Sequence, residues 1–116
     1  NVIENKSFQF AVRIVNLYKH LTNDEKEYVM SKQLLKCGTS IGANIREAKY
    51  AHSKADFISK LQISLKECYE TEYWLEIAQK TEIISEETAK LLLHDCGSIR
   101  RMLIASINTA KGNINT

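Results

Sequence analysis

The stretch Cys37-Gly-Thr-Ser-Ile-Gly-Ala-Asn-Ile-Arg-Glu-Ala48 gathers residue types that cradle phosphates: two glycines four apart, with threonine, serine and asparagine around them. A phosphate loop needs a buried strand before the glycine turn and Lys-Ser/Thr opening the next helix. Here Ser31–Lys36 has helical periodicity, and Lys36 precedes the glycine instead of following it. Cys37, Ile41 and Ile45 also carry an apolar stripe straight through the segment, which a loop would interrupt. The spacing therefore predicts a continuous helix with one bare edge. Gly38 and Gly42, at i and i+4, would let another backbone approach closely. Each costs about 1 kcal/mol of helix propensity relative to alanine, so two in one turn call for a packing partner.

Other chemistry is hard to assemble. A carboxylate-bridged di-iron bundle needs Glu-x-x-His pairs, but Leu17, Lys49 and Leu91 stand three positions before His20, His52 and His94. Cys–His zinc spacing is absent, and His94 and Cys96, two apart on a helix, point away from each other. No nucleophile–base arrangement is readable among the serines. The expectation is a non-enzymatic protein without metal or cofactor.

Two polar features remain on the glycine-bearing helix. Ser40, Asn44 and Glu47 follow three-four spacing in continuity with Gln33 and form a stripe beside the core. If partly buried, they must be hydrogen-bonded across the bundle or between subunits; the alternative is a solvated polar edge. On the face away from the core, Lys32, Lys36, Thr39, Ala43, Arg46 and Lys49 or Tyr50 also advance by three and four. Lys54 and Lys60 follow. Such a stripe could contact phosphates, or be an ordinary solvated face. Tyr50 alone interleaves an aromatic, so base readout has little support.

These residues must be held by helices. Proline is absent and only four glycines occur among 116 residues, while alanine, leucine, isoleucine, lysine and glutamate abound, which favours helix throughout. Periodicity and capping signals predict an all-α, up-down-up-down antiparallel four-helix bundle in a single domain over 1–116, with helices at about 7–21, 23–51, 54–79 and 86–110. Thr22 and Glu25 have capping-box spacing for the second helix; Ser53 and Ser85 cap the third and fourth. The apolar arcs of helices 1 and 3, which include Phe8, Tyr69, Tyr73 and Trp74, are wider than one partner requires. The tail from Lys111 to Thr116 is expected to fray.

The net charge of +2 is distributed unevenly: residues 1–66 hold 11 Lys/Arg against 6 Asp/Glu, and residues 67–116 hold 5 against 8. A basic front and an acidic back suit an anionic partner or complementary subunits. No apolar run is long enough to span a membrane, and the N-terminus lacks the signature of a secretory signal. Three widely spaced cysteines (37, 68 and 96) read as buried small hydrophobes in a reducing cytoplasm.

The segment Gln33-Leu-Leu-Lys-Cys-Gly-Thr-Ser-Ile-Gly-Ala-Asn-Ile-Arg-Glu-Ala48 resembles the hallmark of bacterial four-helix-bundle proteins encoded in intervening sequences of large-subunit ribosomal RNA genes, sometimes labelled ribosomal-protein-like. Gln33, Ser40, Ile41, Asn44, Ile45 and Glu47 match its pattern, as do Ser53–Glu67 and Glu72–Glu76. Many members have Ala-Glu-Gly where this chain has Arg46-Glu47-Ala48. The resemblance implies a four-helix bundle assembled as a homopentamer, with no enzymatic activity. It extends to a cousin, the accessory variability determinant of diversity-generating retroelements, a basic pentamer that binds reverse transcriptase and nucleic acid. The expected function is a homo-oligomeric bundle binding RNA or DNA backbone through Lys32, Lys36, Arg46, Lys49, Lys54 and Lys60. The alternative is a protein–protein interaction scaffold that binds no nucleic acid. Gln33, Gly38, Ser40, Gly42, Asn44 and Glu47 form the structural motif.

Overall fold

The computed structural model describes residues 1–112, so the last four residues of the expected frayed tail lie outside it. Four helices make up the fold: α1 (Val2–Asn23), α2 (Met30–Lys49), α3 (Lys54–Lys80) and α4 (Glu86–Ala110). Each packs on its neighbours in sequence, α1 closes onto α4, and the backbones of the diagonal pairs stay apart. Short connections at 24–29, 50–53 and 81–85 make the helices an antiparallel four-helix bundle. The α1–α4 seam is the thinnest of the four, and an ion pair between Arg13 and Asp95 crosses it.

The helix ends follow local chemistry. α1 begins five residues before the expected start because the Asn1 side chain accepts from the Glu4 amide at 3.0 Å, leaving Glu4 in the first turn beside the dipole's positive end. The expected continuity of α1 into α2 at residue 23 is replaced by a six-residue turn. Thr22 does not cap. Its hydroxyl donates to the Tyr18 carbonyl at 2.9 Å, inside α1. Lys26 adopts a positive φ of 56° and turns the chain. The Glu27 carboxylate then caps α2, accepting from the amides of Val29, Met30 and Ser31 at 3.0, 2.9 and 2.7 Å. Burial alone would raise the Glu27 pKa, but these amides outweigh it and hold the carboxyl below its ordinary value. Ser53 and Ser85 do cap α3 and α4, accepting from the amides of Asp56 and Thr88.

The core is a stack of apolar layers. Phe10, Ile14 and Leu21 come from α1, and Leu34, Ile41 and Ile45 from α2. Leu61 and Leu75 come from α3, and Leu92, Ile99 and Leu103 from α4. Cys37, Cys68 and Cys96 are all buried free thiols. Burial pushes Cys37 up to about 11. The Cys96 thiol, which donates to the Cys68 carbonyl at 3.5 Å, is also pushed up, first by the neighbouring Cys68 side chain and then by burial. No helix among the described residues is long and apolar enough to cross a membrane.

Candidate nucleic-acid interface

Four of the six candidate cations stand on α2, and the α1–α2 seam fixes which face α2 presents. A Cβ on Gly38 would lie 2.8 Å from Ile14 Cγ1, and one on Gly42 would lie 3.2 Å from the Ser7 carbonyl oxygen. Both glycines therefore face α1, and their bareness sets how closely the two backbones approach. On the other side of α2, the buried Ser64 hydroxyl of α3 donates to the Ile41 carbonyl at 2.8 Å. With both flanks engaged, the remaining arc of α2 looks outward.

The polar stripe makes a different set of bonds from the one expected. Ser40 Oγ donates to the Lys36 carbonyl at 2.6 Å and Asn44 Nδ2 to the Ser40 carbonyl at 2.8 Å, so both bond within their own helix. Only Glu47 crosses, its carboxylate lying 3.4 Å from Lys60 Nζ on α3. Gln33 is half-buried. The cross-bundle hydroxyl is the buried Ser64, because Ser40 and Asn44 are half-exposed on the side of α2 away from the glycines, where bonding back to their own turn is the shortest route.

The six candidate cations do not form one surface. At about 100° per residue, Lys32, Lys36, Thr39, Ala43 and Arg46 fall within an arc of about 80°, and all three cations on it are exposed. Lys49 turns toward α1, with its Nζ 3.7 Å from Glu4. Lys60 turns toward α2 and is matched by Glu47. Lys54 is exposed at the start of α3, but six residues place it about 240° from Lys60 around that helix. The coherent line is thus Lys32, Lys36 and Arg46. Glu67 of α3 lies near enough for Lys36 to oppose its shift; burial and then Glu70 still raise the Glu67 carboxyl above its ordinary value.

α1 adds a residue to this face that the linear pattern of α2 could not reveal. Phe8 is 56% exposed, and its ring centroid lies 5.8 Å from the Arg46 guanidinium carbon. Tyr50, the aromatic read from sequence, stands beside Lys49 at the same distance, at the end of α2. The signal for Phe8 was the apolar stripe it forms with Ala11, Val15 and Tyr18, beside the stripe of Phe10, Ile14, Leu17 and Leu21 that fills the core.

The sequence matches the family of 23S rRNA-intervening sequence proteins over residues 1–105. Among curated proteins, none matches the chain. The fold is similar to a crystal structure from Bacteroides thetaiotaomicron, described as a protein of unknown function from the S23 ribosomal protein family. The two share 58% identity and a TM-score of 0.92, over 93% of this chain and 96% of that one. Together with the four-helix architecture and the matching Gln33–Ala48 segment, these likenesses show that the chain belongs to the 23S rRNA-intervening sequence protein family.

Proposed function

We propose that this chain is a non-enzymatic bundle that assembles with copies of itself, as a pentamer, and binds RNA or DNA backbones through the outward face of α2. The observation that carries the binding reading is the line of Lys32, Lys36 and Arg46 on one exposed arc, none of them in a salt bridge among the described residues. Phosphate recognition needs only point charges at intervals along a groove, and repeating the line around an assembly would multiply its attraction. Support for self-association comes from apolar side chains left on the outside of a complete bundle, including Val12 on α1 and Tyr69 and Tyr73 on α3. The three buried thiols suit a reducing cytoplasm.

Titrating a labelled duplex and a labelled single strand across a range of salt tests the reading. Binding that weakens linearly with log salt is expected, and Lys36→Glu with Arg46→Glu should reduce the slope by about one per lost phosphate contact. Absence of affinity at low salt, or affinity untouched by the double substitution, refutes it. The second reading, a scaffold docking on a protein such as a reverse transcriptase, draws on the same exposed apolar residues. It gains if a purified partner binds while nucleic acid does not.

A further inference from the structure

A crease runs along the outer seam between α1 and α2. Phe8 and Ala11 line it from α1, and Thr39, Gly42, Ala43 and Arg46 from α2. Its volume of about 350 Å³ sits at the low end for small-ligand sites. That is room for one flat ring, not for a helix about 10 Å across. Two carboxylates border it, but each faces a lysine: Glu4 has Lys49 at 3.7 Å, and Glu47 has Lys60 at 3.4 Å. The unmatched charge at the crease is therefore the Arg46 guanidinium, and Lys36 and Lys32 continue its arc along α2.

An exposed aromatic ring with a guanidinium beside it, at the end of a cationic line, supplies both parts of a single-strand site. Cations follow the backbone, and a base stacks on the ring or on the guanidinium plane whatever its identity. A duplex cannot use the crease, because its bases are already stacked and paired. We propose that the crease receives one unstacked base of a single-stranded nucleic acid, held against Phe8 and Arg46, while adjoining phosphates lie along Lys36 and Lys32. This rests on the reading of α2 as a backbone-binding face and narrows its ligand to single strands.

Fluorescence anisotropy with a labelled oligothymidine and a duplex of equal length tests the assignment. The single strand should bind about tenfold or more tighter, and Phe8→Ala should weaken it by about fivefold to a hundredfold, the range for losing one stacked base. Duplex affinity and the salt slope should stay unchanged, and Phe8→Tyr, which keeps the ring, should retain the preference. Photocrosslinking of 5-iodouracil-containing strands should map to the peptide holding Phe8. If Phe8→Ala weakens both ligands equally or neither, while Lys32→Glu and Lys36→Glu weaken both, the base site falls and the backbone reading stands. If wild-type protein binds neither ligand, both fall. If Phe8→Ala yields a smaller species in sedimentation and loses both ligands together, the crease is a contact between copies of this chain, and the base site is overturned.

Discussion

Replacing Gly38 with alanine sets two known effects against each other, and the geometry decides the sign. Helix propensity alone would stabilise α2 by about 1 kcal/mol. The new Cβ would lie 2.8, 3.0 and 3.2 Å from Cγ1, Cγ2 and Cδ1 of Ile14. All three are too close, so no single rotation relieves the clash, and a β-branched side chain is stiff at χ1. Ile14 is 1% exposed and has nowhere to retreat, so α1 must move off α2. Overpacking of this kind costs about 1–3 kcal/mol, and the stiffness of the neighbour argues for the upper part of that range. The net expectation is a loss of about 2 kcal/mol, or about 8 °C in Tm for a chain of this length. Urea unfolding followed by circular dichroism measures it. Gly97→Ala is the control, because its Cβ would meet only the ends of flexible side chains, Arg100 and Arg101 at 3.4 Å and Glu72 at 3.9 Å; there the propensity gain of up to about 1 kcal/mol should appear. Adding Ile14→Ala, which alone costs about 2–5 kcal/mol, should give a Gly38→Ala double variant at least about 1 kcal/mol more stable than additivity predicts, since the new methyl occupies part of the vacated space. A stabilising Gly38→Ala, or strict additivity with Ile14→Ala, would refute the account of the seam.

Three further outcomes follow from particular contacts. Ser64→Ala removes the buried hydroxyl that donates to the Ile41 carbonyl and should cost about 1 kcal/mol in the same unfolding assay. Glu27→Gln weakens the α2 cap and should cost about 1 kcal/mol at neutral pH. Because the folded carboxyl lies below its ordinary value, that stability is present above the unfolded pKa and is lost as pH falls through the folded one, so wild type and variant should converge once the folded carboxyl is protonated. The thiols of Cys37, Cys68 and Cys96 are buried, and those of Cys37 and Cys96 disfavour the thiolate; labelling by an aromatic disulfide should proceed only at the rate of global opening, and fast labelling of native protein would contradict this.

What the sequence disclosed was decided by periodicity, and what it concealed was decided by contacts between helices. The stripe Cys37–Ile41–Ile45 was enough to reject a phosphate loop, and the caps at Ser53 and Ser85 were local enough to read directly. On α3 the buried face is not wholly apolar. Leu61, Ser64, Cys68, Thr71, Leu75 and Ala78 run at alternating three and four, and all six are buried. Ser64 and Thr71 are polar, however, so a search for apolar residues passes over the Ser64 hydroxyl that bridges α3 to α2. The α1–α2 turn was misread for a related reason. Thr22 and Glu25 have capping spacing, but Glu27 has the right geometry, since a positive φ at Lys26 brings its carboxylate beneath three free amides.

The same distinction explains why the candidate interface differs from a list of basic residues. A helix has two flanks, and on α2 the glycine flank does more than allow close packing. With no side chain at Gly42, the Ser7 backbone of α1 comes close enough that a Cβ there would sit 3.2 Å from its carbonyl oxygen. Ser7 is the residue before Phe8, so the approach of the seam sets where the Phe8 ring lies relative to Arg46. The bare edge and the cationic edge of Cys37–Ala48 thus act on one surface: the first brings an aromatic from another helix into place, and the second supplies the charge beside it. Lys49, Lys54 and Lys60 share the charge but not the arc, and two of them are matched by glutamates. It follows that a large side chain at position 42 should disturb the crease before it disturbs the Lys32–Lys36 line. Gly42→Leu, if it folds, should therefore lose any single-strand preference while keeping salt-dependent affinity for a duplex. Equal loss of both would mean that the seam and the surface are not coupled through Phe8.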